Sequence, residues 1–181
     1  MVAKVASIAV AVALVVGLVG VGVAADDRAK AMKEAQATIA VFKKADPGLS
    51  RFFNAAVGYA VFPSITKAAI GIGGAGGSGV LYEKGKATGK ASLSQVTVGA
   101  QLGGQTYSEI IFFETDQALI DFKNGTLALA AQVSAVAAKA GASDNASYQN
   151  GVAVFTAGKG GLMFEASVGG QKFRFEPYAK K

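Results

Sequence analysis

The sequence contains no cysteine, no histidine and no tryptophan. Without cysteine there is no disulfide, so packing alone must hold the fold. Without cysteine and histidine there is no thiolate nucleophile, no imidazole base and no Cys–His zinc site. Charged residues make up only 17% of the chain, which leaves few groups for acid–base work. Proline occurs three times, so long segments run without a built-in break. What is plentiful is small and apolar: 51% of the chain is hydrophobic by count, and 24 residues are glycine. At 181 residues the chain is long enough for one domain with a real core.

The N-terminus reads as a targeting segment. Lys4 gives a short positive start, and Val5 to Ala25 carries no charge. Val23-Ala24-Ala25 fits a small-x-small cleavage site, with Asp26 as the new N-terminus. The alternative is an uncleaved anchor, since the apolar run is just long enough to span a bilayer. Either reading places the body of the protein outside the cytoplasm, in a periplasm or cell envelope, as a single domain over 26–181. Removing 1–25 takes away Lys4 alone from the 18 basic residues, leaving 17 basic and 12 acidic side chains and a net charge of +5. That surplus suits an anionic surface such as lipid headgroups. Export argues against nucleic acid as a partner.

The segment 26–46 predicts a helix. Asp26 or Asp27 caps its start, Met32, Ala35, Ile39 and Phe42 form an apolar stripe, and Asp46-Pro47-Gly48 ends it. Lys30, Lys33, Lys43 and Lys44 make its other face basic. Such a face is either a solvated outer surface or a membrane-surface helix. Ser50 then opens a short helical turn carrying Arg51, Phe52 and Phe53. "VGYAVFP" reads as a strand ended by Pro63, and "SITKAAIGIGG" as a strand or a helix start.

From Gly76 onward the pattern is β. Val96, Val98, Ala100 and Leu102 alternate with polar or small residues, while Ile110 to Phe113 is apolar on both faces, as in a central strand covered on both sides. "TDQALIDFKNG" predicts a helix capped by Thr115 or Asp116 and closed by Asn124-Gly125. "TLALAAQVSAVAAKAG" fits helix or strand, and a final hairpin runs through "GVAVFTAG" and "GGLMFEASVGG" with "QKFRFEP" trailing. The expected fold is α+β: a strongly curled or barrel-like antiparallel sheet of six to eight strands, an N-terminal helix and one or two internal helices.

The stretch "AIGIGGAGGSGVLYEKG", 69–85, has seven glycines and spells G-x-G-x-x-G at Gly71, Gly73 and Gly76. A dinucleotide fingerprint needs a helix starting inside it and an acid about 20 residues on. Here a β-type segment follows, and position 90 is lysine. A Walker loop fails too, because its lysine position is Gly77. The glycines answer a steric need instead: close backbone approach inside a curled sheet.

Taken in order, "AVFPSITKA", "GGSGVL", the helix ending in "FKNG" and "GLMFEASVGG" resemble the SYLF domain, a lipid-binding family, over roughly Ala40 to Pro177. The resemblance implies binding and not catalysis, with no cofactor. Eukaryotic members associate with phosphoinositide-rich membranes through a basic, amphipathic N-terminal part, and some fungal members bind actin. For an exported chain the expected partner is an anionic phospholipid or membrane surface, with an envelope protein as the alternative and actin not expected. By position, the lipid-binding residues are Lys43, Lys44, Arg51, Phe52, Phe53 and Lys67. Phe52 and Phe53 serve equally well as a staple between the first helix and the sheet, and Lys84, Lys86 and Lys90 as a solvated hairpin. Glu114 and Asp116 form no nucleophile–base set, and Glu109 or Glu165 is expected to pair with a lysine on a neighbouring strand.

Overall fold

The spacing of Ala35, Ile39 and Phe42 places these side chains on one face of a helix, α1, spanning 25–45 in the computed structural model of the chain, which describes residues 25–129, 136–159 and 170–179. Ala35 and Phe42 are fully buried. Burying a side chain such as Phe42 contributes about 1.5–3 kcal/mol, which is what holds α1 to the sheet. The helix stops where the sequence says it should. The backbone N–H of Asp46 donates to the Phe42 carbonyl at 2.9 Å, and the Asp46 carboxylate caps a 3-10 turn, Pro47–Leu49, by accepting from the Gly48 N–H at 3.1 Å. A second helix, α2 (Ser50–Ala55), follows directly.

Two long strands dominate the rest, β1 (Gly58–Glu83) and β2 (Lys86–Phe113). They pair antiparallel from Glu83↔Lys86 to Gly58↔Phe113. The turn between them has Lys84 at φ 50° and Gly85 at φ 76°, the two positive values that a type I′ hairpin turn requires. Pro63 does not end a strand, contrary to the sequence expectation. Phe62 pairs with Glu109 and Ile65 with Tyr107, so Pro63 and Ser64 together oppose Ser108 in a bulge. The bulge needs no N–H from Pro63, which is why proline is tolerated there. The Ser108 hydroxyl donates to the Pro63 carbonyl at 2.7 Å and satisfies that buried oxygen. One extra residue also flips the side-chain parity, so Ala60 and Phe62 before the bulge and Ile65 and Ala75 after it belong to one apolar cluster.

The glycine stretch lies inside β1 up to Glu83, its last two residues forming the hairpin turn, and no helix starts in it. Its glycines let β1 fold back on itself. A Cβ on Gly58 would sit 2.9 Å from the Tyr82 carbonyl oxygen, one on Gly77 would sit 2.6 Å from that of Ser64, and one on Gly79 would overlap that of Val61. The two ends of one strand thus touch backbone to backbone, which only glycine permits.

Helix α3 (Asp116–Asn124) follows β2. The Thr115 hydroxyl accepts from the Ala118 N–H, and Gly125 closes the helix at φ 72°, both as the sequence indicates. Then come β3 (Val136–Ala137), β4 (Val152–Gly158) and β5 (Lys172–Pro177). On β2, β4 pairs with 107–113 and β5 with 89–94. The strand order is β1-β2-β4-β3 with β5 on β2, so the sheet is curled but not closed among the described residues. It is also mixed, not purely antiparallel: β3 runs parallel to β4, because the loop 138–151 is long enough to carry the chain back to the same end. Among the described residues the sheet has five strands, with β1 and β2 each absorbing segments read as separate strands.

The sheet buries both faces. The inner face gathers Phe62, Leu81, Ile111 and Phe113 with Leu119 and Phe122 of α3 and Phe173 of β5. The outer face gathers Val61, Val80, Ile110 and Phe112 beneath Phe42, Leu49 and Phe52. Ile110 to Phe113 are all fully buried, flanked by β1 and β4 as the double-sided apolar run predicts. Nearly all of the expected leader, the ambiguous stretch at 130–135, Glu165 and the penultimate strand at 160–169 lie outside the described residues, as do the side chains at 97–103.

Candidate functional site

The Asp46–Pro47 turn sets α2 across the end of α1, and consecutive residues of α2 then point different ways. Phe52 turns inward. It is 3% exposed, edge-on to Phe155 at 4.9 Å and beside Phe112 and Tyr148 at 5.6 and 5.3 Å. Phe53 is half-buried, meeting Tyr59 and Phe112 edge-on at 5.0 and 4.8 Å. Each ring carries a cation. The Lys43 ammonium lies 4.5 Å from the Phe53 ring centre, and the Arg51 guanidinium 4.7 Å from that of Phe52. Such contacts are worth about 0.5–1 kcal/mol at exposed sites, and they hold both charges in place. Lys44 is exposed next to Lys43. The structure therefore brings Lys43, Arg51, Phe52 and Phe53 into one basic–aromatic corner, with Lys44 at its edge. Lys67 stands elsewhere, on β1 opposite Gln105.

Arg51 also reaches a segment far away in sequence. Its Nη2 group donates to the carbonyls of Ser143 and Ala146, the latter at 2.7 Å. Asp46 accepts from the Ser143 N–H at 2.7 Å. The 3-10 turn Ser143–Asn145 is thus clamped from both sides. Beneath it opens a pocket of about 420 Å³ lined by Arg51, Phe52, Ala55, Glu114, Ala146 and Tyr148. The Tyr148 hydroxyl is buried and has no hydrogen-bond partner among the described residues. Burial, and after it the Glu114 carboxylate, push this hydroxyl above its usual range, while Arg51 pulls it down. Opposite charges therefore both act on it.

A second groove, about 470 Å³, runs between α1 and the sheet past Thr38, Val41, Pro63, Ser64 and Lys159. Val41 is 58% exposed there, an apolar side chain two residues from Lys43.

Glu109 is not where the sequence reading put it. It points to the inner face, is fully buried, and its cross-strand neighbours are Phe62 and Thr156. Its partner is an amide and not a lysine: Gln171 Nε2 donates to Glu109 Oε2 at 3.0 Å. Burial pushes the carboxyl up to about 7, and the Gln171 hydrogen bond only partly offsets this. Oε1 of Glu109 and Oε1 of Gln171 have no partner among the described residues. The alternation Tyr107, Glu109, Ile111, Phe113 was the available signal, since it puts the carboxyl on the same face as three core side chains. Among the described residues no three His, Cys, Asp or Glu side chains come together to hold a metal ion, and no helix is long and apolar enough to cross a membrane.

Residues 94–180 match the family model described as "Ysc84: Las17-binding protein actin regulator". Over these residues the chain is similar to the SYLF domain. It is 33% identical over 158 residues to "Beta cell expansion factor A" of Aeromonas veronii, an alignment covering 80% of this chain and 58% of that protein. The chain therefore spans a little over half the length of this relative. The match to the SYLF domain begins at Ser94, within β2, and takes in α3, β3, β4 and β5. The basic–aromatic corner, built from α1 and α2, lies N-terminal to it.

Proposed function

We propose that this SYLF-like domain binds the surface of an anionic phospholipid membrane through the corner formed by α1 and α2, in the cell envelope. The observation that carries the reading is the pairing of Lys43 with Phe53 and Arg51 with Phe52. Two cations are held over rings, with an exposed Lys44 next to Lys43, and the exposed Val41 lies in the neighbouring groove along α1. Ammonium and guanidinium groups meet lipid phosphates, and apolar side chains at the same level enter the interface. Phe52 supports the surface from beneath and does not itself insert, because its ring is buried. Lys67 contributes at most long-range charge. The lipid association of SYLF proteins generally agrees with this role.

Co-sedimentation of protein lacking 1–25 with phosphatidylglycerol–phosphatidylcholine vesicles tests the proposal. Binding at low salt that weakens as ionic strength rises is expected. Equal recovery with pure phosphatidylcholine overturns it. The family description names a protein as its binding partner, which favours a second reading in which the same corner docks an envelope protein. Binding of such a protein with no response to vesicles would select that reading.

A further inference from the structure

Arg51 and Glu114 line one pocket without pairing. Each keeps hydrogen-bonding capacity: on Arg51 only Nη2 is engaged among the described residues, which leaves the Nε and Nη1 hydrogens. The Glu114 side chain is exposed and makes no ion pair among the described residues. Tyr148 lines the same pocket, its buried hydroxyl lacks a partner among the described residues, and both charges act on it. An ordinary surface arginine and glutamate this close to one group would be free to meet, but Arg51 is tied down by the carbonyls of Ser143 and Ala146 and stacked on Phe52. A fixed cation, an unpaired carboxylate lining the same pocket and a hydroxyl with spare donor and acceptor capacity together describe the negative image of a small zwitterion.

We propose that the pocket lined by Arg51, Glu114 and Tyr148 receives a phosphoethanolamine group, with phosphate at Arg51 and Tyr148 and the ammonium at Glu114. The proposal refines the membrane reading at its Arg51 end and rests on it for the lipid source. Long-range attraction to anionic vesicles comes from Lys43 and Lys44. The pocket adds selection for a headgroup bearing both charges. A phosphoglycerol group lacks the cation and leaves Glu114 facing a phosphate. A phosphocholine group has a cation that cannot donate a hydrogen bond to the carboxylate. About 420 Å³ accommodates the headgroup while its acyl chains stay in the bilayer.

The test is an NMR titration of the protein lacking 1–25 with soluble glycerophosphoethanolamine, glycerophosphoglycerol and glycerophosphocholine, alongside sedimentation with vesicles containing phosphatidylethanolamine or phosphatidylglycerol. Selective shifts at Arg51, Glu114 and Tyr148 with the ethanolamine compound are expected. Glu114→Gln should weaken that binding about tenfold, the loss of one charge-assisted contact, while recovery with phosphatidylglycerol vesicles holds or rises. Tyr148→Phe, which keeps the ring against Phe52, should weaken it less. Equal response to all three soluble compounds, or an unchanged titration in Glu114→Gln, overturns the proposal. Vesicle binding without any soluble-headgroup response overturns the pocket alone. A selective soluble response without vesicle binding supports the pocket, assigns it a free phosphoethanolamine compound, and removes the membrane reading.

Discussion

Gly79 lies against the carbonyl oxygen of Val61, a residue of the same strand, so closely that no Cβ fits between them. This contact closes the curl of β1, and it makes the glycines of the stretch unequal. Gly79→Ala must separate two backbones inside the core and should cost about 2–4 kcal/mol, on the scale of severe overpacking. Gly74→Ala meets nothing closer than 3.6 Å and should be neutral or slightly stabilising, by less than about 1 kcal/mol, through the unfolded chain. Urea denaturation of the two variants checks the ranking. Equal losses would mean that the close approach is not what these glycines serve.

The buried Glu109 carboxyl makes stability depend on pH. Its folded pKa of about 7 lies above the usual carboxylate value of 4.5. The folded state therefore holds the proton more tightly, so stability is greatest below about 4.5 and falls as pH rises from there to about 7. The groups facing it are Gln171, Thr156 and the Tyr107 hydroxyl, none of them cationic. Glu109→Gln should flatten this dependence and stabilise the protein at pH 8, by a few kcal/mol at most, read as a higher melting temperature. Melting curves from pH 4 to 9 decide it, and a melting temperature that climbs between pH 5 and 7 because of Glu109 would contradict the sign.

Asp46 holds two backbone donors, the N–H groups of Gly48 and Ser143, and is 1% exposed. Asp46→Ala leaves both without an acceptor and should cost about 2–4 kcal/mol, more than an ordinary cap. Asp46→Asn keeps one acceptor oxygen and should cost less. Hydrogen exchange at Ser143 and Gly48 reports the loss directly, faster in Asp46→Ala than in Asp46→Asn.

Reversing Lys43 and Lys44 together to glutamate should abolish sedimentation with anionic vesicles at low salt. The protein should stay folded at a cost of about 1–2 kcal/mol, from the lost Lys43–Phe53 contact and two acids at the end of α1. Lys67→Glu should weaken binding far less. If it weakens binding as much as the double reversal, the surface extends along β1.

Local chemistry was legible in the sequence. The stop at Asp46-Pro47-Gly48, the Thr115 cap, the Gly125 close and the doubly covered run Ile110 to Phe113 all follow from residues within one turn or one strand of each other. What escaped depends on partners distant along the chain. Pro63 looked like a strand end because its tolerance rests on Ser108, which supplies both the skipped position and the hydroxyl. The direction of β3 depends on the path of a loop and not on its own two residues. Of the candidate site, the cations and rings were visible as a cluster in sequence. The pocket was not, because Glu114 and Tyr148 reach Arg51 only once β2 and the 138–151 loop have been laid down.

The two-residue turn at Lys84-Gly85 carries a long lever. Pairing runs outward from it, from Glu83↔Lys86 to Gly58↔Phe113, with the register shifting at Leu81/Tyr82, Ile70/Ile72 and Phe62/Ile65, and a slip of one position within a stretch would invert inside and outside there. The bulge at Pro63–Ser64 removes that ambiguity, since proline can be seated only where no amide is demanded. Assembly should therefore proceed as a zipper with a lock at its far end: fast pairing near the turn, and commitment only when Ser108 reaches Pro63.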